Sequence, residues 1–278
     1  MRAALLQMTG SDDPAANRDV VVAALREAAA CGADMALTPE VSNCISASRA
    51  RQRAVLVREE EDRLVAAARA EAARLGLWVL LGSVAVATDD PDGRFANRSL
   101  LIDASGAVAA RYDKIHMFDV AVSEAETYRE SAGYRPGERA AVADTPWGRI
   151  GLTVCYDLRF AHLYRRLAQA GADILAVPSA FSPVTGAAHW EPLLRARAIE
   201  TGCFVLAPAQ TGRHPASENR ERETYGHSLA VAPWGEVLLD AGTKAGLHLV
   251  DLDLAQVAEA RRRVPSLHAD RPFRGPEP

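Results

Sequence analysis

Cys155 ends an apolar run, Ile150-Gly151-Leu152-Thr153-Val154, and is followed at once by Tyr156-Asp157-Leu158-Arg159-Phe160. A strand that ends in a cysteine presents a thiol at the edge of a sheet. Met35-Ala36-Leu37-Thr38-Pro39 ends in the same way at Glu40, and Val108-Ala109-Ala110-Arg111-Tyr112-Asp113 ends at Lys114. Three such ends can bring an acid, a base and a thiol into one site. A free thiol has a pKa of about 8.5 and is mostly protonated at neutral pH, so it needs a neighbouring base or cation to react. Glu40 can take the thiol proton and return it to a leaving amine. Lys114 then stays charged and faces the carbonyl oxygen as it becomes an oxyanion, a role in which one donor is commonly worth ~3 kcal/mol. The chemistry these residue types predict is amide hydrolysis through a thioester.

Thr38-Pro39-Glu40, Tyr112-Asp113-Lys114-Ile115-His116 and Gly151-Leu152-Thr153-Val154-Cys155-Tyr156-Asp157-Leu158-Arg159-Phe160 resemble the three signatures of the nitrilase, or carbon–nitrogen hydrolase, superfamily. They occur in the family's order, and the resemblance runs from Met1 to about Arg271. It implies an α/β fold of the four-layer α-β-β-α sandwich type, in a domain over 1–271 followed by a tail over 272–278, and a homodimer or larger homo-oligomer paired through helices. Glu130, in Tyr128-Arg129-Glu130-Ser131, matches the family's second glutamate, which supports the lysine and helps to place substrate. The backbone N–H of Tyr156 is expected to complete the oxyanion hole with Lys114. Asp157 and Arg159 are expected to form an internal ion pair that holds the turn, with Arg159 a lesser candidate for binding a substrate carboxylate.

Three further segments are similar to the branch of ω-amidases and deaminated-glutathione amidases: Pro178 to Glu191, Leu194 to Thr201, and Tyr225-Gly226-His227-Ser228. Ala209-Gln210-Thr211-Gly212-Arg213-His214 leans toward the latter. This resemblance implies a small-molecule amide substrate, the 2-oxo derivative of glutathione, cleaved to 2-oxoglutarate and cysteinylglycine. The alternatives are 2-oxoglutaramate, an N-carbamoyl amino acid, a nitrile, or a non-catalytic scaffold that binds a metabolite or partner. A dianionic substrate calls for arginines or oriented amides in the pocket. Phe181, His189, Trp190 and Arg195 are the expected substrate-binding residues, and Arg195 and Arg197, two positions apart on a helix, cannot both face it. The stretch Val41-Ser42-Asn43-Cys44-Ile45 and the loop Val120-Ala121-Val122-Ser123-Glu124 depart from the family pattern, and Cys44 is placed to line the pocket entrance.

The elements that must position these groups alternate along the chain. A strand at Arg2–Met8, a helix over about Asn17–Cys31 and the Glu40 strand are followed by one long helix over about Arg51–Leu75, with Glu59-Glu60-Glu61-Asp62 as its solvated face. A strand and turns through Pro91-Asp92-Gly93 and Ser105-Gly106 lead to Lys114, then an irregular loop over 117–137. The second half repeats the rhythm: helices over about Arg159–Ala170 and His189–Thr201, strands between them, and a hairpin through Pro233-Trp234-Gly235. Arg261-Arg262-Arg263 is expected on the solvated face of the last helix.

The chain has 278 residues and a formal net charge of -4, which gives no electrostatic footprint for nucleic acid or an anionic membrane. No apolar stretch approaches the roughly 20 residues of a membrane span, and four cysteines without paired spacing do not form a disulfide framework. No CxxC, HExxH or EF-hand spacing occurs and there is no dinucleotide or phosphate loop, so neither a metal nor another cofactor is expected. A thiol nucleophile suits a reducing compartment, which makes the cytoplasm the expected location.

Overall fold

The computed structural model describes residues 1–121, 127–217 and 222–275. Two six-stranded sheets carry the fold. In the first, neighbours run in the order Gly246–Asp251, Arg2–Gln7, Met35–Leu37, Trp78–Val86, Ala96–Ile102, Val108–Asp113; in the second, Val237–Asp240, Leu229–Val231, Phe204–Ala207, Ile174–Ala176, Gly148–Leu152, Ala141–Thr145. Each sheet has parallel strands at its centre and antiparallel strands outside them. Met35 lies opposite both Ala3 and Trp78, and Ile174 opposite both Ile150 and Phe204. Central parallel strands are covered on both faces, which is why these segments are uninterrupted apolar runs.

Alternation along Arg2–Gln7 divides the layers. Ala3 and Leu5 share a core with Ile150 and Leu152 of the second sheet. Ala4 and Leu6 pack the other way, with Val21 and Leu25 of helix Pro14–Ala30 and Leu64 and Ala68 of helix Arg63–Leu75. Helices Ala161–Gln169 and Pro183–Thr201 cover the second sheet through Leu163, Leu167, Trp190 and Leu194. The result is the four-layer α-β-β-α sandwich. Each fully buried leucine stabilises it by ~1.5–3 kcal/mol relative to exposure.

The segment over 51–75 is not one helix. Helix Arg49–Val55 and helix Arg63–Leu75 are separated by a 3-10 turn at Glu59–Glu61. The acidic run is the reason. Asp62 caps the second helix by accepting from Leu64 N at 2.8 Å and Val65 N at 3.0 Å, and it also accepts from Asn43 Nδ2 at 2.9 Å. Glu59 pairs with Arg98 and Arg111, so only Glu60 and Glu61 are fully at the surface.

The helix expected from His189 starts six residues earlier, at Pro183, where a missing N–H costs nothing because that group has no partner within the helix. His189 and Trp190 therefore lie in its middle. The stretch over 117–137 contains a short pair of strands, Asp119–Ala121 with Thr127–Arg129, and a turn at Glu130–Ala132. Val122, Ser123 and Glu124 lie outside the described residues, as do 276–278 of the tail. In the basic run, Arg261 is not solvated: it donates to Ala172 O at 2.6 Å and Thr201 O at 3.2 Å, tying the last helix to the end of helix Pro183–Thr201 and to the turn before strand Ile174–Ala176.

Candidate active site

Glu40 follows strand Met35–Leu37 on a segment pinned to its neighbour. Thr38 N donates to Leu80 O, Val41 N to Ser83 Oγ at 2.8 Å, and Asn43 exchanges bonds with Ala85 through both ends of its amide. The approach is so close that it depends on Gly82. A Cβ there would stand 1.9 Å from Thr38 O, 2.8 Å from Pro39 O and 2.4 Å from Pro178 Cβ. The carboxylate is then fixed by its own bonds. Oε1 accepts from Asn97 Nδ2 and Lys114 Nζ, each at 2.9 Å, and Oε2 accepts from Ala180 N at 2.9 Å.

Cys155 sits where strand Gly148–Leu152 gives way to a 3-10 turn, Cys155–Arg159. Its φ of 49° is in the left-handed region, which costs a non-glycine residue ~1–3 kcal/mol and here turns the thiol out of the sheet. Cys155 N donates to Pro178 O at 3.0 Å. Asp157, fully buried, holds the turn from behind. It accepts from Val154 N at 2.9 Å, Tyr112 hydroxyl at 2.7 Å and His116 N at 3.1 Å, and its Oδ1 lies 2.7 Å from His116 Nδ1. Tyr112 and His116 flank Lys114, so one carboxylate joins the lysine strand to the cysteine turn. The expected Asp157–Arg159 ion pair does not form, because those four partners occupy the carboxylate. Arg159 instead reaches His189 Nδ1 at 3.3 Å and lies over the rings of Tyr156 and Phe181.

Lys114 Nζ bridges Glu40 and Glu130, at 2.9 Å from Glu40 Oε1 and 2.9 Å from each Glu130 oxygen. Glu130 also accepts from Phe118 N at 2.6 Å. The Tyr156 N–H, at the start of the turn, has no partner among the described residues.

Burial alone would raise the Glu40 carboxyl, but the charges of Lys114 and Arg222 outweigh it and hold Glu40 below the ordinary carboxylate range. Burial would likewise lower Lys114, yet Glu130 and Glu40 keep it well above the ordinary lysine range. Burial pushes the Cys155 thiol up, and the nearby Glu40 charge pushes it further against the opposing pull of Lys114. At neutral pH the resting site therefore holds a thiol, an ionised Glu40 near it, and a charged lysine.

These groups open on a cavity of about 300 Å³ whose wall includes Arg49, Tyr134, Phe181, Thr185 and Arg222. Of the expected substrate-binding residues, Phe181 lines it and three do not. Trp190 is buried behind Phe181 with Nε1 donating to His227 O at 2.7 Å, and His189 is exposed on the outer side of its helix. Arg195 donates to Gly235 O at 2.9 Å and pairs with Glu191, away from the cavity. Arg197 does not reach it either, since it is spent on Leu158 O and Glu200. Among the described residues the cavity's arginines are Arg49, Arg129 and Arg222, each at an end of a helix or strand of seven residues or fewer, and Cys44 lines it as well. Asn97 was equally hidden, since in the strand Ala96–Ile102 it is followed by Arg98 and Ser99 and nothing singles it out. No three His, Cys, Asp or Glu side chains among the described residues are grouped to hold a metal, and no helix among them is long and apolar enough to cross a membrane.

The sequence signature of the carbon-nitrogen hydrolase family matches residues 2–262. A deaminated glutathione amidase of Yersinia enterocolitica is 42% identical over 241 residues, covering 86% of this chain and 82% of the relative. The protein of that name from Homo sapiens is 40% identical over 275 residues, covering 97% and 82%. Among solved structures, the C. elegans NitFhit protein superposes with a TM-score of 0.88 at 33% identity; 97% of this chain is covered, and it spans 65% of that longer one. With the family signature over nearly its whole length and relatives at this identity, the chain belongs to the carbon–nitrogen hydrolase family.

Proposed function

We propose that this protein is a thiol amidohydrolase that cleaves deaminated glutathione to 2-oxoglutarate and cysteinylglycine, with Cys155 as nucleophile, Glu40 as general base and acid, and Lys114 as oxyanion donor. One observation carries the mechanism: a single buried ammonium is shared by Glu40 and Glu130 beside a thiol that faces Glu40. Cys155 Sγ attacks the amide carbonyl carbon while Glu40 takes its proton. The negative oxygen is met by Lys114 Nζ and the Tyr156 N–H, and Glu130 keeps the ammonium in place. Collapse expels the amine, which recovers the proton from Glu40 and leaves a thioester. Water then attacks the thioester, Glu40 takes a proton from it, and the acid departs with the thiol restored. A thiol held protonated until substrate arrives suits this proton economy, because the base beside it is already ionised.

The names of the relatives support the substrate, and so does the pocket's charge. Its described walls carry four cations, Arg49, Lys114, Arg129 and Arg222, against the two carboxylates Glu40 and Glu130. Two positive charges are left for a ligand with two carboxylates. Thr185 Oγ1, buried on the same wall without a partner, is a further donor for it. The enzyme works as a homo-oligomer in the reducing cytoplasm in this reading, where the thiol survives.

The test compares turnover of deaminated glutathione, 2-oxoglutaramate, an N-carbamoyl amino acid and a simple nitrile by wild type and by Cys155→Ala. Preference for deaminated glutathione that vanishes in the variant is the expected result. Preference for another of the four moves the substrate, and no Cys155-dependent turnover of any of them makes a binding scaffold the better account.

A further inference from the structure

The Arg49 guanidinium is oriented in the cavity wall by three neighbours, none of them a carboxylate. Nη1 donates to Gln52 Oε1 at 2.7 Å, and the group lies over the Tyr134 ring with its carbon 5.2 Å from the centroid. Gln52 is itself fixed, with Nε2 donating to Ser46 O at 3.0 Å and to the Tyr134 hydroxyl at 3.2 Å. The guanidinium also rests on the bare backbone of Gly133, where a Cβ would stand 1.8 Å from Arg49 Cζ. Among the described residues no acidic side chain pairs with it. A half-buried, oriented guanidinium of this kind, without a counter-charge among the described residues, is prepared for a planar anion.

From this geometry we infer that Arg49 forms the subsite for the substrate carboxylate remote from the scissile bond. The inference deepens the proposed reading and rests on it. In deaminated glutathione the carboxyl carbon of the 2-oxo acid is four bonds from the attacked carbon, and that of the glycine is six bonds away on the leaving group. Of the three arginines on the described cavity wall Arg129 is exposed, and the other two differ in what they act on. Arg222 donates to Ala180 O at 2.8 Å, and the N–H of the same residue donates to Glu40; its charge is among those acting on Glu40. Arg49 acts on Tyr134 and is anchored to Gln52 and Gly133, on the wall built from helix Arg49–Val55 and the turn after Glu130. Arg222 therefore belongs to the carboxylate near the reacting carbon and Arg49 to the glycine carboxylate. Discrimination follows, because a monoanionic amide leaves Arg49 without a partner.

The experiment pairs deaminated glutathione with the same molecule amidated at its glycine carboxyl, each assayed on wild type, Arg49→Gln and Gly133→Ala. Loss of a charge-assisted pair predicts that wild type prefers the free acid by about ten- to hundredfold in kcat/KM. Arg49→Gln should bring that preference close to unity. Gly133→Ala, which keeps the charge but displaces the guanidinium, should reduce it in part, and circular dichroism with thermal melting controls for an intact fold in both variants. If wild type turns over both compounds and Arg49→Gln keeps the full preference, the subsite assignment is overturned while the substrate reading stands. If wild type turns over neither, the substrate reading fails and takes this inference with it.

Discussion

Acidification should destabilise this protein through one histidine before its carboxylates begin to titrate. His214 is 1% exposed, with Nδ1 donating to Gly10 O at 2.8 Å and Nε2 placed 2.7 Å from Thr224 Oγ1. Burial, helped by the charge of Arg222 and opposed by the bond to Gly10, lowers its pKa from the ordinary 6.5 to about 4. The sign is fixed by which state binds the proton. Between those two values the unfolded chain is protonated at this position and the folded one is not, so stability is intact above 6.5, falls as pH drops, and levels off below 4. A difference of 2.5 units at about 1.36 kcal/mol per unit gives a loss of ~3 kcal/mol. The assay is urea denaturation at a series of pH values for wild type and His214→Gln, which cannot titrate in this range. The variant loses a bond worth ~1 kcal/mol at every pH. The difference between the two proteins should narrow and then reverse as pH falls from 7 to 4. Parallel curves over that interval would refute the reasoning.

Gly82→Ala should lower kcat by about a hundredfold or more, because its methyl group displaces the Glu40 segment and Pro178, whose carbonyl holds Cys155 N; steady-state kinetics on folded protein checks this. Asp157→Asn removes the charge that four groups share and should slow thiol alkylation by iodoacetamide as well as turnover, with KM little changed. An unchanged alkylation rate would mean that the turn keeps its shape without the carboxylate. Because Glu40 lies below the ordinary carboxylate range, its ionised form persists until pH falls through that depressed value. The acid limb of kcat/KM for free enzyme should therefore lie below pH 4.5, measured on the interval where circular dichroism reports a folded protein.

The convergence of Glu40, Lys114 and Cys155 was legible because each closely follows a segment that reads as a strand, and strands of an α/β chain end at a sheet edge. Glu130 came only from resemblance, since nothing in Tyr128-Arg129-Glu130-Ser131 marks one acid among several. The misplaced residues share a physical cause. His189, Trp190 and Arg195 sit on faces of helix Pro183–Thr201 that turn away from the cavity: the outer face takes His189, the core takes Trp190, and Arg195 is spent on Gly235 O and Glu191. Ser182-Pro183 was the available signal for the start of that helix. Arg49 and Arg222 stayed hidden because the walls of the cavity are built from short elements, where side-chain direction follows long-range contacts such as Gly133 against Arg49 rather than periodicity. The broken helix over 51–75 has the same lesson in reverse: Asp62 followed by an apolar-periodic stretch was a helix start inside what read as a helix middle.

The central claim is that the amide is cleaved through a thioester on Cys155. It is tested most directly by mixing enzyme with excess deaminated glutathione, quenching in acid during turnover and mapping the acyl group by peptide mass. The account predicts a 2-oxoglutaryl group on the peptide that contains Cys155, absent from Cys155→Ala, which should fold normally and turn over nothing. Turnover that persists in Cys155→Ala, or an acyl group carried on another residue, would contradict it.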